Sequence, residues 1–197
     1  CWKIFKKINF IAELLDAGRI MKETGANAVK LEGGKEVCPQ IRAITAAGIP
    51  VVAHIGMTPQ SVNAFGGFTV QGKGEANARR VLEDALAVQE AGAFAVTLEC
   101  VPPKLSALIT KKLDIITIGI GASPECDAQV LVWQDMLGIS DFKPKFAKHF
   151  AEVGETMREA FRAYDGEVKS GVFPASEHTF VKSDCTEEFL ASLDVEY

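Results

Sequence analysis

Charged side chains stand at the ends of short apolar segments in this sequence. Lys30 and Glu32 close one such segment, and Glu99 closes another. Because side chains alternate between the two faces of a strand, Lys30 and Glu32 are predicted to share one face. A buried charge is costly unless it meets an opposite charge, a metal or a ligand. The pattern therefore indicates either a binding site or a structural salt bridge between Lys30 and a carboxylate.

Glu99 and His54 are the other candidates for chemistry. Glu99 is followed by a turn, 100–103, that two prolines stiffen. A carboxyl group in an apolar wall can act as a general base or acid, although Glu99 could equally cap the next helix. His54 ends a third apolar segment, where a lone histidine is more often a packed core residue than a ligand. With three histidines and no His-Glu-x-x-His motif, the sequence indicates no zinc site.

Two glycine-rich segments could contribute to a site. The segment 66–74 has the composition of a mobile lid over the end of a strand, and it lacks the context of a dinucleotide-binding fingerprint. The run 119–122 could hold a phosphate or a carboxylate against backbone N–H groups. A tight turn is the commoner reason for such glycines, so both interpretations of 119–122 stay open.

Helical and extended patterns alternate along the chain, and these elements must position the candidate residues. Apolar residues recur at three- and four-residue spacing in the predicted helices, several of which end at glycines. The predicted helices are 11–25, 36–47, 76–91 and 103–113, and the predicted strands are 26–31, 49–54, 94–99, 115–120 and 129–134. This alternation predicts parallel strands joined by right-handed crossovers, in a doubly wound sheet or a barrel.

The ends of the chain differ from its middle. Apolar residues at helical spacing run from 146 to 168, and this long helix is predicted to cover the barrel or a neighbouring subunit. The predicted organisation is an atypical leader, 1–11, a partial (β/α) barrel domain, 12–180, and an acidic tail, 181–197. The tail is expected to be poorly ordered or weakly docked.

Composition excludes several classes of protein. The 197 residues are 48% hydrophobic and 24% charged, which is typical of a soluble globular domain. A formal charge of -5 without a long basic run argues against nucleic acid as a partner. No apolar run reaches the roughly 18 residues of a membrane-spanning helix. The five cysteines are widely spaced and form no Cys-x-x-Cys pair, so a reducing cytoplasm is predicted.

Several runs of residues resemble the ketopantoate hydroxymethyltransferase family, in the same order and over about 12–180. They are Lys-Leu-Glu-Gly-Gly at 30–34, His-Ile-Gly-Met-Thr-Pro-Gln-Ser at 54–61, Gly-Gly-Phe at 66–68, Val-Gln-Gly-Lys at 70–73, Leu-Glu-Cys-Val-Pro at 98–102, Gly-Ile-Gly-Ala at 119–122 and Lys-Pro-Lys-Phe-Ala-Lys at 143–148. The resemblance implies a (β/α)8 TIM barrel that forms homo-oligomers. It also implies synthesis of ketopantoate from 2-oxoisovalerate and 5,10-methylenetetrahydrofolate with Mg2+, on the route to pantothenate and coenzyme A.

The resemblance assigns a role to each candidate residue. It implies that Lys30 holds the carboxylate of the oxo acid and that Glu32 supports the magnesium ion through its water shell. Glu99 would be the general base acting at C3, and His54 would line the same pocket. A hard divalent cation with oxygen ligands suits this chemistry, because it polarises the 2-oxo group.

Part of the family pattern is not matched. Family members carry two aspartates that bind magnesium directly and a serine that helps to hold the substrate, in strands that precede the matched region. We therefore expect an N-terminally truncated chain with about five strands and, for these 197 residues alone, little or no turnover. Two alternatives stay open: a pyruvate- or phosphoenolpyruvate-type barrel lyase that does not use folate, and a non-catalytic, self-associating remnant.

Overall fold

Five strands and seven helices make up the described part of the chain. The computed structural model describes residues 10–62, 66–67, 69–180 and 185–193. The strands are β1 (Val29–Glu32), β2 (Val51–Gly56), β3 (Ala95–Glu99), β4 (Ile116–Ile120) and β5 (Ala128–Gln129). The helices are α1 (Phe10–Glu23), α2 (Cys38–Ala46), α3 (Glu75–Glu90), α4 (Pro103–Lys112), α5 (Trp133–Met136), α6 (Val153–Ser170) and α7 (Glu187–Leu193). Short 3-10 turns lie at Lys35–Val37, Pro59–Ser61 and Ser176–His178.

The five strands form one parallel sheet in the order β1-β2-β3-β4-β5. Spatial order therefore follows chain order, and α2, α3 and α4 connect the first four strands. A doubly wound sheet reverses its strand order at a switch point, whereas a barrel adds each strand beside the last. The predicted α/β fold, a partial (β/α)8 barrel with about five parallel strands and a long C-terminal helix, is confirmed.

The prediction for the fifth strand is wrong in its bounds. Residues 129–134 were expected to be extended, but β5 has two residues and α5 begins at Trp133. Gly119 of β4 pairs with Gln129, so the next pair would meet the end of β4 at Ile120. Gly121 then turns the chain with a φ of 61°. Val130 still donates its N–H to the Gly119 carbonyl at 3.0 Å, but the residues after it have no further residue of β4 to pair with, and the ladder stops.

Each face of the sheet has a different environment. One face packs against α1 to α4, and its buried apolar side chains form the core with those of the helices. The core strand residues are Val29, Val51, Ala53, Ile55, Val96 and Leu98, and the helix residues include Ile41, Ile44, Val81, Val88 and Ile109. The opposite face, here called the open face, carries the strand residues that alternate with these, among them Lys30, Glu32, His54, Thr97 and Glu99. Ile116 on this open face is 50% exposed.

The chain divides into two compact units. The first comprises residues up to 132 together with 144–148, and it contains the sheet. In the second unit, α6 ends at Gly171, whose φ of 73° suits a glycine C-cap. The helix predicted over 146–168 begins only at Val153, and its apolar stripe is exposed at Met157, Phe161 and Tyr164. No helix in the described ranges is long and apolar enough to cross a membrane.

The predicted terminal segments fall only partly on described residues. Residues 1–9 of the predicted leader, 1–11, lie outside the described ranges, and α1 begins at Phe10. Of the predicted tail, residues 181–184 and 194–197 lie outside the described ranges. Residues 187–193 between them form α7, whose apolar side chains Phe189 and Leu190 are exposed. The boundaries of the three predicted segments stay predictions.

Candidate active site

Three of the four predicted site residues meet on the open face of the sheet. Glu32 ends β1 and lies opposite His54 of β2, which in turn lies opposite Thr97 of β3. Residues in register on parallel strands point to the same side, and Glu99 is two residues beyond Thr97. Glu32, His54 and Glu99 therefore project from the C-terminal ends of three adjacent strands. Barrel enzymes place their active sites at this end of the sheet.

His54 lies between the two carboxylates. Its Nε2 is 3.0 Å from Glu99 Oε2, and its Nδ1 is 3.8 Å from Glu32 Oε1. The three side chains are nearly enclosed, with 2%, 9% and 11% of the side chains of His54, Glu32 and Glu99 exposed. Neither ring nitrogen points at a described acceptor in hydrogen-bonding geometry, although the 3.0 Å distance is short enough. Both ring nitrogens are thus buried without a hydrogen-bond partner among the described residues, although each has a carboxylate oxygen within 4 Å.

Glu32 is held by the loop that follows β2. The backbone N–H of Gln60 donates to Glu32 Oε2 at 3.0 Å, and the N–H of Gly33 donates to the carbonyl of His54 at 2.9 Å. A carboxylate that accepts a backbone N–H is fixed in orientation as well as in position. Sequence reasoning did not single out Gln60. Its contribution comes from the main chain, so its residue type carries no signal of it.

Glu99 is fixed by its own backbone. Its carbonyl accepts the N–H of Met57 at 2.9 Å, which extends the β2–β3 pairing beyond the end of β2. Gly56 lies opposite Glu99 and has a φ of 89°, and a Cβ at this glycine would collide with the Glu99 carbonyl and with Val101. A glycine is thus required where β2 passes the end of β3. The close approach places Glu99 within reach of His54.

Lys30 lies on the same face but apart from this cluster. Its side chain is exposed, two residues before Glu32, and it forms no ion pair with any described residue. The structural salt bridge that the sequence left open is therefore not formed within the described ranges. Ile116 is exposed on the same face, so the exposure of Lys30 reflects the openness of that face. Its ammonium group is available to an anion.

The described part of the glycine-rich segment is attached to the residue after Glu99. The N–H of Gln71 donates to the carbonyl of Cys100 at 2.9 Å. The Gln71 side chain, which is 9% exposed, donates to Thr69 and accepts from Arg80 of α3. Residue 68 of the predicted lid, 66–74, lies outside the described ranges. From residue 69 onward the segment is thus held against the C-terminal end of β3.

Cys100 has an unusual conformation next to the site. Its φ is 50°, which is uncommon for a residue other than glycine, and its N–H donates to the carbonyl of Ile120 at 2.9 Å. Burial, together with the charge of Glu99, raises the pKa of the Cys100 thiol to about 11. Since the thiolate is the nucleophile, Cys100 is a poor candidate for covalent catalysis near neutral pH.

The raised pKa of Cys100 predicts slow alkylation. At pH 8 we expect iodoacetamide to modify Cys100 at least about a hundredfold more slowly than an ordinary cysteine, because so little thiolate is present. The rate should rise with pH up to about 11, the pKa of this thiol. Peptide mass spectrometry over time measures this, with exposed Cys185 as the internal comparison. Equal rates for both cysteines at pH 8 would show that Cys100 is not shielded.

The donor set suits magnesium only in part. Mg2+ prefers oxygen ligands and usually keeps several waters while it binds one or two carboxylates. Glu32 offers such an oxygen, since Gln60 occupies Oε2 and leaves Oε1 toward the open face. Within the described residues, however, no three His, Cys, Asp or Glu side chains are grouped as a metal site requires. The arrangement fits a carboxylate that supports a hydrated ion rather than a complete coordination site.

Comparisons with known proteins point to one family. The family model described as ketopantoate hydroxymethyltransferase matches residues 10–176. Three curated relatives are each named 3-methyl-2-oxobutanoate hydroxymethyltransferase. The one from Clostridium novyi (strain NT) is 61% identical over 168 residues, 85% of this chain and 61% of the relative. Those from Enterococcus faecalis (strain ATCC 700802 / V583) and Rhodococcus jostii (strain RHA1) are each 60% identical, over 87% and 85% of this chain and 62% and 58% of the relatives. The chain thus spans about three fifths of their length.

Proposed function

Because this chain belongs to the ketopantoate hydroxymethyltransferase family, we propose that the protein carrying it transfers a hydroxymethyl group to 2-oxoisovalerate. The donor is 5,10-methylenetetrahydrofolate, and the product is ketopantoate, a precursor of pantothenate. The observation that supports this most is the nearly enclosed cluster of Glu32, His54 and Glu99 at adjacent strand ends. Two carboxylates on one face support the proposal that one of them, Glu99, is a base and the other, Glu32, supports a metal ion, while Lys30 on the same face carries an exposed ammonium group.

In the proposed reaction, Glu99 acts as the general base. It takes a proton from C3 of the oxo acid, and the electron pair of that C–H bond forms the new bond to the one-carbon unit. Overall, the oxo acid, methylenetetrahydrofolate and water give ketopantoate and tetrahydrofolate, so the new hydroxyl oxygen comes from water. His54 lies against the Glu99 carboxylate and lines the pocket in which this transfer occurs.

The remaining two residues hold the reactants. Lys30 binds the carboxylate of the oxo acid as a charge-assisted contact. Glu32 supports the hydration shell of a magnesium ion, which, when bound, polarises the 2-oxo group. Gln60 keeps the Glu32 carboxylate oriented for this role. Among the described residues, no group of three His, Cys, Asp or Glu side chains could hold the ion directly.

The proposed setting follows from the same family membership. We propose a cytoplasmic, homo-oligomeric enzyme whose partners are an oxo acid and a folate, without nucleic acid or membrane as partners. The net charge of -5 is in keeping with the absence of a nucleic-acid partner.

The test is product formation by the protein expressed from its complete gene. We expect ketopantoate, measured by mass spectrometry, in a mixture of 2-oxoisovalerate, 5,10-methylenetetrahydrofolate and Mg2+. Omitting the folate should abolish the product, and EDTA should lower its rate until excess Mg2+ is added. Consumption of an oxo acid that does not depend on folate would instead identify a lyase, and the proposal would be wrong.

A further inference from the structure

We propose that Asp84 on α3 is a positioning residue for Glu32. It fixes the turn that follows β1, residues 33–35, and thereby keeps the Glu32 carboxylate beside His54. This inference concerns contacts of the chain itself. It rests on the proposed function only where it concerns turnover.

Asp84 contacts the turn in two ways. Its Oδ1 accepts the backbone N–H of Lys35 at 3.0 Å, across 49 residues of sequence. Its carboxyl group also lies against Gly34, where an added Cβ would collide with the Asp84 side chain. The glycine thus makes room for this carboxylate, and the hydrogen bond holds the main chain to it. The turn and α3 are therefore matched in shape as well as in polarity.

The turn needs such a contact because β1 is weakly constrained. β1 has four residues, and among the described residues it pairs only with β2. Beyond Glu32, two hydrogen bonds fix the chain. The Gly33 N–H donates to the His54 carbonyl, and the Lys35 N–H donates to Asp84 Oδ1. Glu32 is the last residue of β1, so any movement of the turn is transmitted to its carboxylate. Asp84 limits that movement from the helix side.

The environment of Asp84 argues against a merely solvated surface carboxylate. Burial raises the pKa of Asp84, and the nearby charge of Glu36 adds to that effect. Burying a carboxylate costs free energy unless hydrogen bonds replace those that it made with water. Here the accepted N–H belongs to the turn beside the cluster. If the turn moved away, the partly buried Asp84 carboxylate would lose this hydrogen bond.

The neighbouring residue supplies a matched control. Glu83 Oε2 contacts Lys35 Nζ at 2.6 Å, but the two side chains are 45% and 57% exposed. Exposed ion pairs contribute little, because water competes for both partners. Glu83→Gln removes a charge from the same turn of the same helix without touching the Lys35 backbone. Its effect on Glu32 should therefore be negligible.

Amide hydrogen exchange tests the positioning role directly. In Asp84→Ala we expect faster exchange, by about tenfold, at the Lys35 amide and also at the Gln60 amide, which donates to Glu32. Asp84→Asn keeps an oxygen acceptor and should restore slow exchange at both amides. The amides of β3 should not change in either variant, which excludes general destabilisation. If Asp84→Ala does not fold, Asp84→Glu replaces it, since the longer side chain no longer fits against Gly34.

The Gln60 amide decides between the outcomes. Faster exchange at both Lys35 and Gln60, with wild-type exchange in Glu83→Gln, supports the positioning role. Faster exchange at Lys35 alone would overturn the inference, because Asp84 would then hold the turn without affecting Glu32. No change at either amide would overturn it as well.

Turnover provides a second and separate readout. In the protein from its complete gene, Asp84→Ala should raise the Mg2+ concentration for half-maximal rate by about tenfold, with the KM for the oxo acid unchanged. Asp84→Asn should behave like the wild type. If the Gln60 amide exchanges faster in Asp84→Ala but the Mg2+ requirement is unchanged, the role proposed for Glu32 is wrong and the positioning role of Asp84 stands. Absence of turnover in the wild type would instead contradict the proposed function, and the exchange measurement would still decide the role of Asp84.

Discussion

Glu99→Gln should lower kcat for ketopantoate formation by about 10²- to 10⁴-fold, the usual contribution of a general base. The amide has nearly the shape of the carboxylate, so it keeps the packing at the end of β3, but it cannot accept the proton from C3. The KM for 2-oxoisovalerate should change little, because Lys30 rather than Glu99 is proposed to bind the substrate. Steady-state kinetics of the protein from its complete gene give both constants.

Glu90→Gln is the matched control for this substitution. Glu90 is the last residue of α3 and is exposed, so the same chemical change occurs outside the cluster. We expect wild-type kcat in this variant. A Glu99→Gln enzyme with kcat within a factor of about three of the wild type would contradict the role of Glu99 as the base. Circular dichroism and the melting temperature establish that both variants are folded.

Lys30→Met should raise the KM for 2-oxoisovalerate by about tenfold to a hundredfold. Methionine keeps a long, flexible side chain but removes the charge proposed to meet the carboxylate of the oxo acid. Lys30 forms no ion pair with a described residue, so its replacement leaves no described partner unpaired. The fall in kcat should be smaller than the rise in KM. Initial rates at varied oxo acid and saturating folate measure this difference.

Lys112→Met serves as the control for Lys30. Lys112 is an exposed lysine in the last turn of α4, away from the open face. It should give the wild-type KM for the oxo acid. If Lys30→Met also gives the wild-type KM, Lys30 does not bind the substrate carboxylate, and the exposed ammonium group is only a solubilising charge. Raising the salt concentration should weaken oxo acid binding in the wild type more than in Lys30→Met.

Much of the site could be predicted because parallel strands order their ends. Once three short apolar segments are recognised as neighbouring strands, the residues that end them must lie together at one edge of the sheet. Strand order thus predicted that Glu32 and Glu99 end neighbouring strands, and the register shows His54 between them, where only the family resemblance had put it. It could not place Lys30 against a partner, because contact depends on how far the open face is covered.

The rest of the site depends on contacts that residue types do not encode. Gln60 contacts Glu32 through its backbone N–H. Asp84 accepts a hydrogen bond from the Lys35 amide, which lies 49 residues away in the sequence. Nothing in the local pattern of α3 distinguishes Asp84 from Glu83 beside it, although Asp84 bonds to the Lys35 backbone and Glu83 bonds to the Lys35 side chain. β5 is shorter than predicted for a similar reason. Its length is set by the end of β4 and not by its own β-branched residues.

Proton exchange at C3 of 2-oxoisovalerate reports directly whether Glu99 is the base. In D2O with Mg2+ and without folate, the protein from its complete gene should replace the C3 proton with deuterium, which 1H NMR detects as loss of the C3 signal. We expect this exchange in the wild type and in Glu90→Gln, and its near absence in Glu99→Gln. Equal exchange rates in the wild type and Glu99→Gln would contradict it, because the proton would then leave without the carboxylate that faces His54.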